Sequence, residues 1–315
     1  MRRPLCTLIG SFAIALWAGC GGAEDAPDIS DPVTPGEFNA ERAFADLEAQ
    51  VELGPRPAGS PANRRQARLL ARRLRRAGVE GVRIQRPLRN VVGRIPGTED
   101  DAILLAAHHD TKDIPGFVGA NDGASGVAVV LELARALPRR VEGPSVHIAL
   151  FDGEEPRGDR LFQLDGTRGS RQFVSYAARA EDSGRAVQST PPLSKIGAMI
   201  LFDLVGDCDL QIPREGYSDA ELYEYIALQP TGAESPFGGE TEPIGDDHVP
   251  FVEAGVAAVD LIDFTYGPGA RPGAYWHTTE DTLDKVCPES LDAVGEAVLR
   301  ILPKEEQAAS SPGGR

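Results

Sequence analysis

Apolar and polar positions fall into blocks along this chain, and the blocks alternate between two periods. Helices are predicted over Glu37–Leu53 and Ser60–Ala77. Ser60 suits an N-cap with Pro61 at the first helical position, and Gly78 suits a stop. Two short strands follow, near Val82–Gln85 and Asn90–Ile95. Three strongly apolar strands come next, Ala102–Ala107, Ser145–Phe151 and Gly197–Leu204, with a helix Ser125–Leu137 between the first two. Gly169–Ala180 and Ser218–Leu228 read as helices, Ala257–Ile262 as a strand and Glu289–Leu302 as a closing helix. Strands alternating with helices predict an α/β fold: a single domain whose central, mostly parallel mixed sheet is flanked by helices on both faces. The continuous apolar runs fit strands buried on both sides.

The ends of the chain read differently. Arg2 and Arg3, the apolar run Leu5–Leu16 and the closing Trp17-Ala18-Gly19-Cys20 make residues 1–20 a signal peptide. The run is too short for a comfortable membrane span. Its small-small-Cys ending is similar to a bacterial lipobox, which makes Cys20 the candidate lipidation site, although Trp17 departs from that pattern. Cleavage without lipidation and an uncleaved N-terminal anchor are the other readings. Residues 21–36, rich in Asp, Pro and Gly, read as a flexible linker, and 304–315 as a loose tail. Residues 37–303 are then the folded domain. Export to the cell envelope or beyond permits a disulfide between Cys208 and Cys287, though nothing in the sequence places them together.

Composition narrows the function. With 315 residues, 41% apolar and 25% charged, the chain is long enough for a sizeable core. Its net charge of −16 argues against a nucleic-acid partner. One stretch runs against that charge, Arg64, Arg65, Arg68, Arg72, Arg73, Arg75 and Arg76, and reads as the solvated face of one helix, with an anionic-lipid contact as the sharper alternative.

The candidate chemistry gathers just past the apolar strands, where open α/β sheets bind ligands. Ala102–Ala107 runs into His108-His109-Asp110, Ser145–Phe151 into Asp152-Gly153-Glu154-Glu155, and Met199–Phe202 into Asp203. His108 and Asp110 share one side of an extended chain, so Asp110 is placed to orient the His108 ring; a hydrogen-bonded surface pair is the plainer reading. His109 points the other way and reads as structural. Asp122 sits in a tight Gly119–Gly126 turn before a helix, which is either an N-cap turn or a presented oxygen ligand. Glu154 and Glu155 would repel one another after a core strand unless a cation is near, so one can bind metal while the other moves a proton. His277, beside Trp276, follows a Gly/Pro-rich loop that suits a site wall, although core packing also explains Trp276. His248, in Asp246-Asp247-His248-Val249-Pro250-Phe251, marks another candidate loop, and His147, inside a strand, reads as core.

Taken in order from about Leu53 to Leu302, these motifs resemble the M28 family of zinc aminopeptidases and glutaminyl cyclases. Phe151–Glu155, Phe202–Gly206, Asp246–Phe251 and Trp276-His277-Thr278 are most similar to the cyclases, which turn N-terminal glutamine of peptides and proteins into pyroglutamate and release ammonia. The resemblance implies a zinc held by Asp122, Glu155 and His277, with Glu154 as general acid/base, Asp203 and Asp246 in its proton network, and Trp276 lining the substrate pocket. An aminopeptidase reading uses the same residues and adds a second zinc on His108 and Asp203, bridged by Asp122. Manganese or cobalt would also suit such ligands. A non-catalytic, surface-tethered binding module is the third reading. The chain departs from the animal cyclases in having no Trp in Pro156–Gly166, where Phe162 is the nearest aromatic, and in a longer Thr265–Ala274 loop. Asn121–Gly126 and Asp281–Val286 look more like the aminopeptidases.

Overall fold

In this computed structural model, which describes residues 36–231 and 235–304, the strands are β1 (Glu80–Ile84), β2 (Val91–Ile95), β3 (Ala102–His108), β4 (Ser145–Phe151), β5 (Ile196–Asp203), β6 (Ile212–Arg214), β7 (Phe237–Glu240) and β8 (Ala258–Ile262). Six of them form one sheet in the order β1-β2-β4-β3-β5-β8, while β6 and β7 pair apart from it. β3 runs parallel to β4 and β5, and β5 to β8; β2 is antiparallel to both β1 and β4. The expected mixed, mostly parallel sheet is therefore present.

Period-2 geometry explains why its central strands are apolar throughout. Leu105, Ile148, Ile200 and Val259 enter one core, and their strand neighbours Leu104, Ala149, Leu201 and Ala258 enter the other. The helices α1 (Ala40–Val51), α2 (Pro61–Arg76), α3 (Ser125–Ala136), α4 (Phe162–Asp165), α5 (Arg168–Ser183), α6 (Ala220–Ala227), α7 (Val249–Glu253) and α8 (Pro288–Ile301) cover both faces. α1, α3 and α8 pack on one another over the first core. α5 and α7 close the second with Phe173 and Phe251, whose rings meet Phe151.

α2 begins as its sequence predicts, with Ser60 accepting from the Asn63 N–H. Leu70 and Leu74 are buried while Arg65, Arg68, Arg72, Arg75 and Arg76 are exposed, so the arginine run is largely a solvent-facing stripe. Arg73 turns inward, its Nε 3.0 Å from Asp46. His147 is buried in β4, where burial and then the Arg94 charge push its pKa down to about 4. The signal, linker and tail readings fall outside the described residues except at their edges. There Gly36 donates to Ala136 and the Lys304 carbonyl accepts from Glu142, so the ordered fold includes both.

Cys208 and Cys287 form a disulfide across 79 residues of sequence. Closing a loop of that length restricts the unfolded chain by about 4 kcal/mol in the chain-entropy account. The double variant Cys208→Ser, Cys287→Ser is therefore expected to unfold at lower urea, losing about 2–5 kcal/mol with the active-site geometry retained. Equilibrium denaturation of the two proteins checks this; equal midpoints would show that the bond adds nothing.

Candidate active site

The parallel strands deliver acids and histidines to one edge of the sheet. β3 ends at His108, β5 ends at Asp203, and β4 leads directly into Asp152–Glu155. Gly126, at the start of α3, lies so close to β5 that a Cβ would meet the Phe202 carbonyl oxygen at 2.0 Å. Only glycine lets α3 and its preceding Asp122 loop approach the strand this closely.

Two sets of ligand atoms converge there. Asp122, Glu155 and His277 form one, and His108, Asp122 and Asp203 the other, each set with its donor atoms within 4.8 Å of one another. In the first, His277 Nε2 lies 2.8 Å from Glu155 Oε1 and 3.4 Å from Asp122 Oδ2. Glu155 Oε1 is buried yet makes no hydrogen bond of acceptable geometry. A buried carboxylate oxygen crowded by an imidazole nitrogen and a second carboxylate is what a cation satisfies. Two carboxylates and one imidazole also leave a coordination position open, as catalytic zinc requires. These residues fit the metal. In the second set His108 Nε2 is already hydrogen-bonded to Asp203 Oδ1 at 3.2 Å.

The supporting contacts hold this arrangement in place. His277 takes a left-handed φ of 53°, and its ring stacks on Trp276 with centroids 3.7 Å apart. A non-glycine residue in that region is strained, and such strain gathers at functional sites. Phe264 meets the Trp276 ring edge-on, and Lys112 Nζ donates to Glu155 Oε2 at 3.0 Å. Asp110 faces the His108 ring, as its spacing predicts, and has a second task. It stands 3.8 Å from His108 Nδ1, whereas its carboxylate accepts from the backbone N–H groups of Gly153, Glu154 and Glu155 at 2.8, 3.2 and 3.3 Å. Asp110 therefore also shapes the Glu154–Glu155 turn, its carboxylate satisfying that turn's clustered amides. His109 Nε2 donates to the Arg89 carbonyl at 3.1 Å and is structural, as expected.

His248 caps α7 inside the protein, its Nε2 3.1 Å from Glu215 Oε1, and does not line the cavity. Asp246, Trp276, Glu154 and Asp203 all do. Burial, then the neighbouring Glu155 charge and those of Asp246 and Asp247, push Glu154 well above the ordinary carboxylate range against the pull of His108. Burial and the Asp203 charge likewise raise Asp246. For His277, burial acts downward but the adjoining Glu155 carboxylate and the Asp122 charge outweigh it and raise the group.

Asp281 supports the Asp122 loop, a role that no motif in the sequence marks. It accepts from the Asn121 and Asp122 N–H groups at 2.7 and 3.0 Å and from the Tyr266 hydroxyl at 2.8 Å. Arg56, fully buried, braces the same loop by donating to the Val118 and Gly119 carbonyls. Asp281 lies in the His277 segment, which was the available clue, but its target is reached only through the fold. Asp281→Ala is expected to weaken zinc binding by about 10–100-fold, as loss of a ligand's support does. A zinc-competition titration reads this directly, and unchanged affinity would remove Asp281 from the site.

The fold and the metal-ligating edge define a metal-dependent α/β enzyme. Residues 90–302 match Peptidase family M28, so the chain belongs to that family. A solved glutaminyl cyclase from an Acidobacteriales bacterium is 32% identical, with a TM-score of 0.71 over 88% of this chain and 97% of that one. A solved leucine aminopeptidase precursor from Bacteroides thetaiotaomicron VPI-5482 is 25% identical, with a TM-score of 0.71 over 87% of this chain and 100% of that one. The glutaminyl-peptide cyclotransferase of Gloydius blomhoffii is 27% identical over 251 residues, 70% of this chain and 66% of its own length. The chain thus spans about two thirds of that curated relative.

Proposed function

We propose that the protein is a zinc-dependent glutaminyl-peptide cyclotransferase acting on the N-terminal glutamine of peptides and proteins. The observation that carries this is the ligand set Asp122, Glu155 and His277, in which Glu155 Oε1 is buried without a hydrogen bond, beside the buried Glu154 in one cavity. The similarity to solved glutaminyl cyclases supports the same reading.

Asp122, Glu155 and His277 would hold the zinc, which when bound supplies a Lewis acid for the side-chain amide carbonyl. Glu154 takes a proton from the α-amine as its nitrogen bonds to the side-chain carbonyl carbon. It returns that proton to the departing amide nitrogen, which leaves as ammonia. A carboxylate raised by burial suits both duties near neutral pH. Asp246, also raised by burial and the Asp203 charge, stands at the cavity wall, and Asp203 fixes His108 beside it. The indole of Trp276 walls the cavity next to His277 and excludes water. Ring closure within one molecule already has a high effective molarity, so positioning and proton transfer are the protein's main contributions.

The second ligand set favours one alternative, a two-metal aminopeptidase in which His108 and Asp203 hold a second zinc bridged by Asp122. Product identity separates the two. A Gln-initiated and a Leu-initiated peptide are incubated with the protein, with and without chelator, and read by mass. Ammonia loss from the Gln peptide alone, abolished by chelator, is expected; release of free Leu or Gln would make the protein an aminopeptidase.

Export is part of the same reading. The Cys208–Cys287 disulfide suits an oxidising compartment and supports a signal peptide over residues 1–20, with membrane attachment only through Cys20 if it is lipidated.

A further inference from the structure

The arginines of α2 have no part in the chemistry above. The helix carries Arg64, Arg65, Arg68, Arg72, Arg73, Arg75 and Arg76 and not one Asp or Glu. Like charges three and four residues apart repel along a helix, so an ordinary solvated face mixes its signs. This face does not, although the chain as a whole has a net charge of −16. Arg65, Arg68, Arg72, Arg75 and Arg76 are exposed, and Arg65, Arg68, Arg72 and Arg76 make no ion pair or hydrogen bond with any described residue. Arg64 and Arg75 donate to backbone carbonyls, those of Gly59 and Val82. Among the seven, Arg73 meets a carboxylate, Asp46. Burial lowers its pKa all the same, and the Arg135, Arg76 and Arg72 charges add to that effect. Two exposed acids stand beside the stripe. Glu52 shares a shallow hollow with Arg65, Arg68, Arg72, Leu53 and Leu69, and Glu80 follows the helix; neither pairs with an arginine.

The stripe also has a defined place in the fold. Asn63, at the start of α2, donates to Asp152 Oδ1 at 2.8 Å, so that end of the helix lies toward the metal-ligating edge. The other end lies beside the end of α3. A Cβ on Gly78 would meet Arg139 Nη1 at 2.1 Å, which places the exposed Arg139 against the stop of α2. The chain enters the fold at the same corner, where the Gly36 N–H donates to the Ala136 carbonyl at 2.8 Å. α3 then runs 12 residues, about 18 Å, back to the active-site edge. Residues 1–35 thus reach the domain where Arg72, Arg75, Arg76 and Arg139 gather, and the catalytic cavity opens at the far end.

We propose that the C-terminal half of α2, with Arg139, is the face on which the domain rests against an anionic phospholipid bilayer. Guanidinium groups pair with lipid phosphates, and the half-exposed Leu53 and Leu69 between them suit the headgroup boundary. The rest of this acidic surface is repelled by the same bilayer, so the contact fixes one orientation, with the cavity turned toward soluble peptides. Covalent attachment stays with Cys20; the stripe decides which face of the tethered domain meets the lipid. The inference does not depend on the cyclisation chemistry.

The test is phenylglyoxal modification of the full chain, read arginine by arginine by peptide mass, with vesicles containing phosphatidylglycerol and with vesicles of phosphatidylcholine alone. Labelling of Arg72, Arg75, Arg76 and Arg139 is expected to slow by about fivefold or more on the anionic vesicles only, the weight of one arginine at such a surface. Salt at about 1 M should restore it. Arg160 and Arg171, which line the cavity, should label alike on both. In Arg68→Glu, Arg72→Glu, Arg76→Glu, the protection of Arg75 and Arg139 should be lost. These three positions are exposed and unpaired, so the melting temperature should hold or rise as repulsion is relieved. Equal labelling on the two vesicle types overturns the proposal, and so does protection that survives the triple variant or spreads equally to Arg160 and Arg171. A chain that floats with both vesicle types while its arginines stay unprotected would retain the N-terminal anchor and lose the docking face. Equal protection by a single-stranded oligonucleotide at the same phosphate concentration would make the stripe a general polyanion site and overturn its assignment to lipid.

Discussion

Glu154→Gln is expected to lower kcat by about 10²–10⁴-fold, the usual share of a positioned proton carrier, while the metal stays bound. The substitution keeps the shape of the side chain and removes its ability to exchange a proton. Its backbone anchors, the N–H to Asp110 and the carbonyl to Thr167, are untouched. Glu154 is not among the three donors of the unsatisfied ligand set, so metal content should remain near that of the unaltered protein. Stability offers a further control. Burial and the Glu155, Asp246 and Asp247 charges all disfavour an ionised Glu154, so a neutral amide relieves repulsion and should leave the unfolding temperature unchanged or higher. Steady-state ammonia release, metal analysis and thermal unfolding on the same preparation separate a chemical defect from a folding one. A variant within tenfold of full activity would remove Glu154 from the proton-transfer role.

Much of this site is legible in the sequence because its residues sit at predictable places on predictable strands. An apolar run such as Ser145–Phe151 must be a buried strand, and the first polar residues beyond it must emerge at the sheet edge. That logic brings His108, Glu154, Glu155 and Asp203 to one edge. It does not reach Asp281 or Glu215, whose partners lie in other loops and whose surroundings carry no period. It points Asp110 at His108 but does not show the backbone amides that its carboxylate also accepts, because spacing gives the direction of a side chain and not all of its partners. The short helices α4 and α7 and the β6–β7 pair also escape, since three to five residues are too few to display a repeat. Yet α4 carries Phe162 into the cavity wall, so part of the lining is among the features least visible in the chain.

Removal of the metal is expected to abolish turnover, and one equivalent of zinc to restore it. Without a cation, Asp122, Glu154 and Glu155 share a buried space in which carboxylates repel, and Glu155 Oε1 lacks a hydrogen-bond partner. A ligand that binds only the folded state adds stability in proportion to its excess over Kd, about 4 kcal/mol at a thousandfold excess. The chelated protein should therefore also melt lower, and zinc should restore melting temperature and activity together. The endpoint distinguishes the two ligand sets. His108 Nε2 is already engaged by Asp203, whereas Glu155 Oε1 in the Asp122–Glu155–His277 set is buried without a hydrogen bond. Activity should accordingly rise linearly to one equivalent and then level off, and His277→Ala should lose both binding and activity. A plateau reached only at two equivalents, and moved back to one by His108→Ala, would assign His108 and Asp203 to a second metal and turn the chemistry toward peptide hydrolysis.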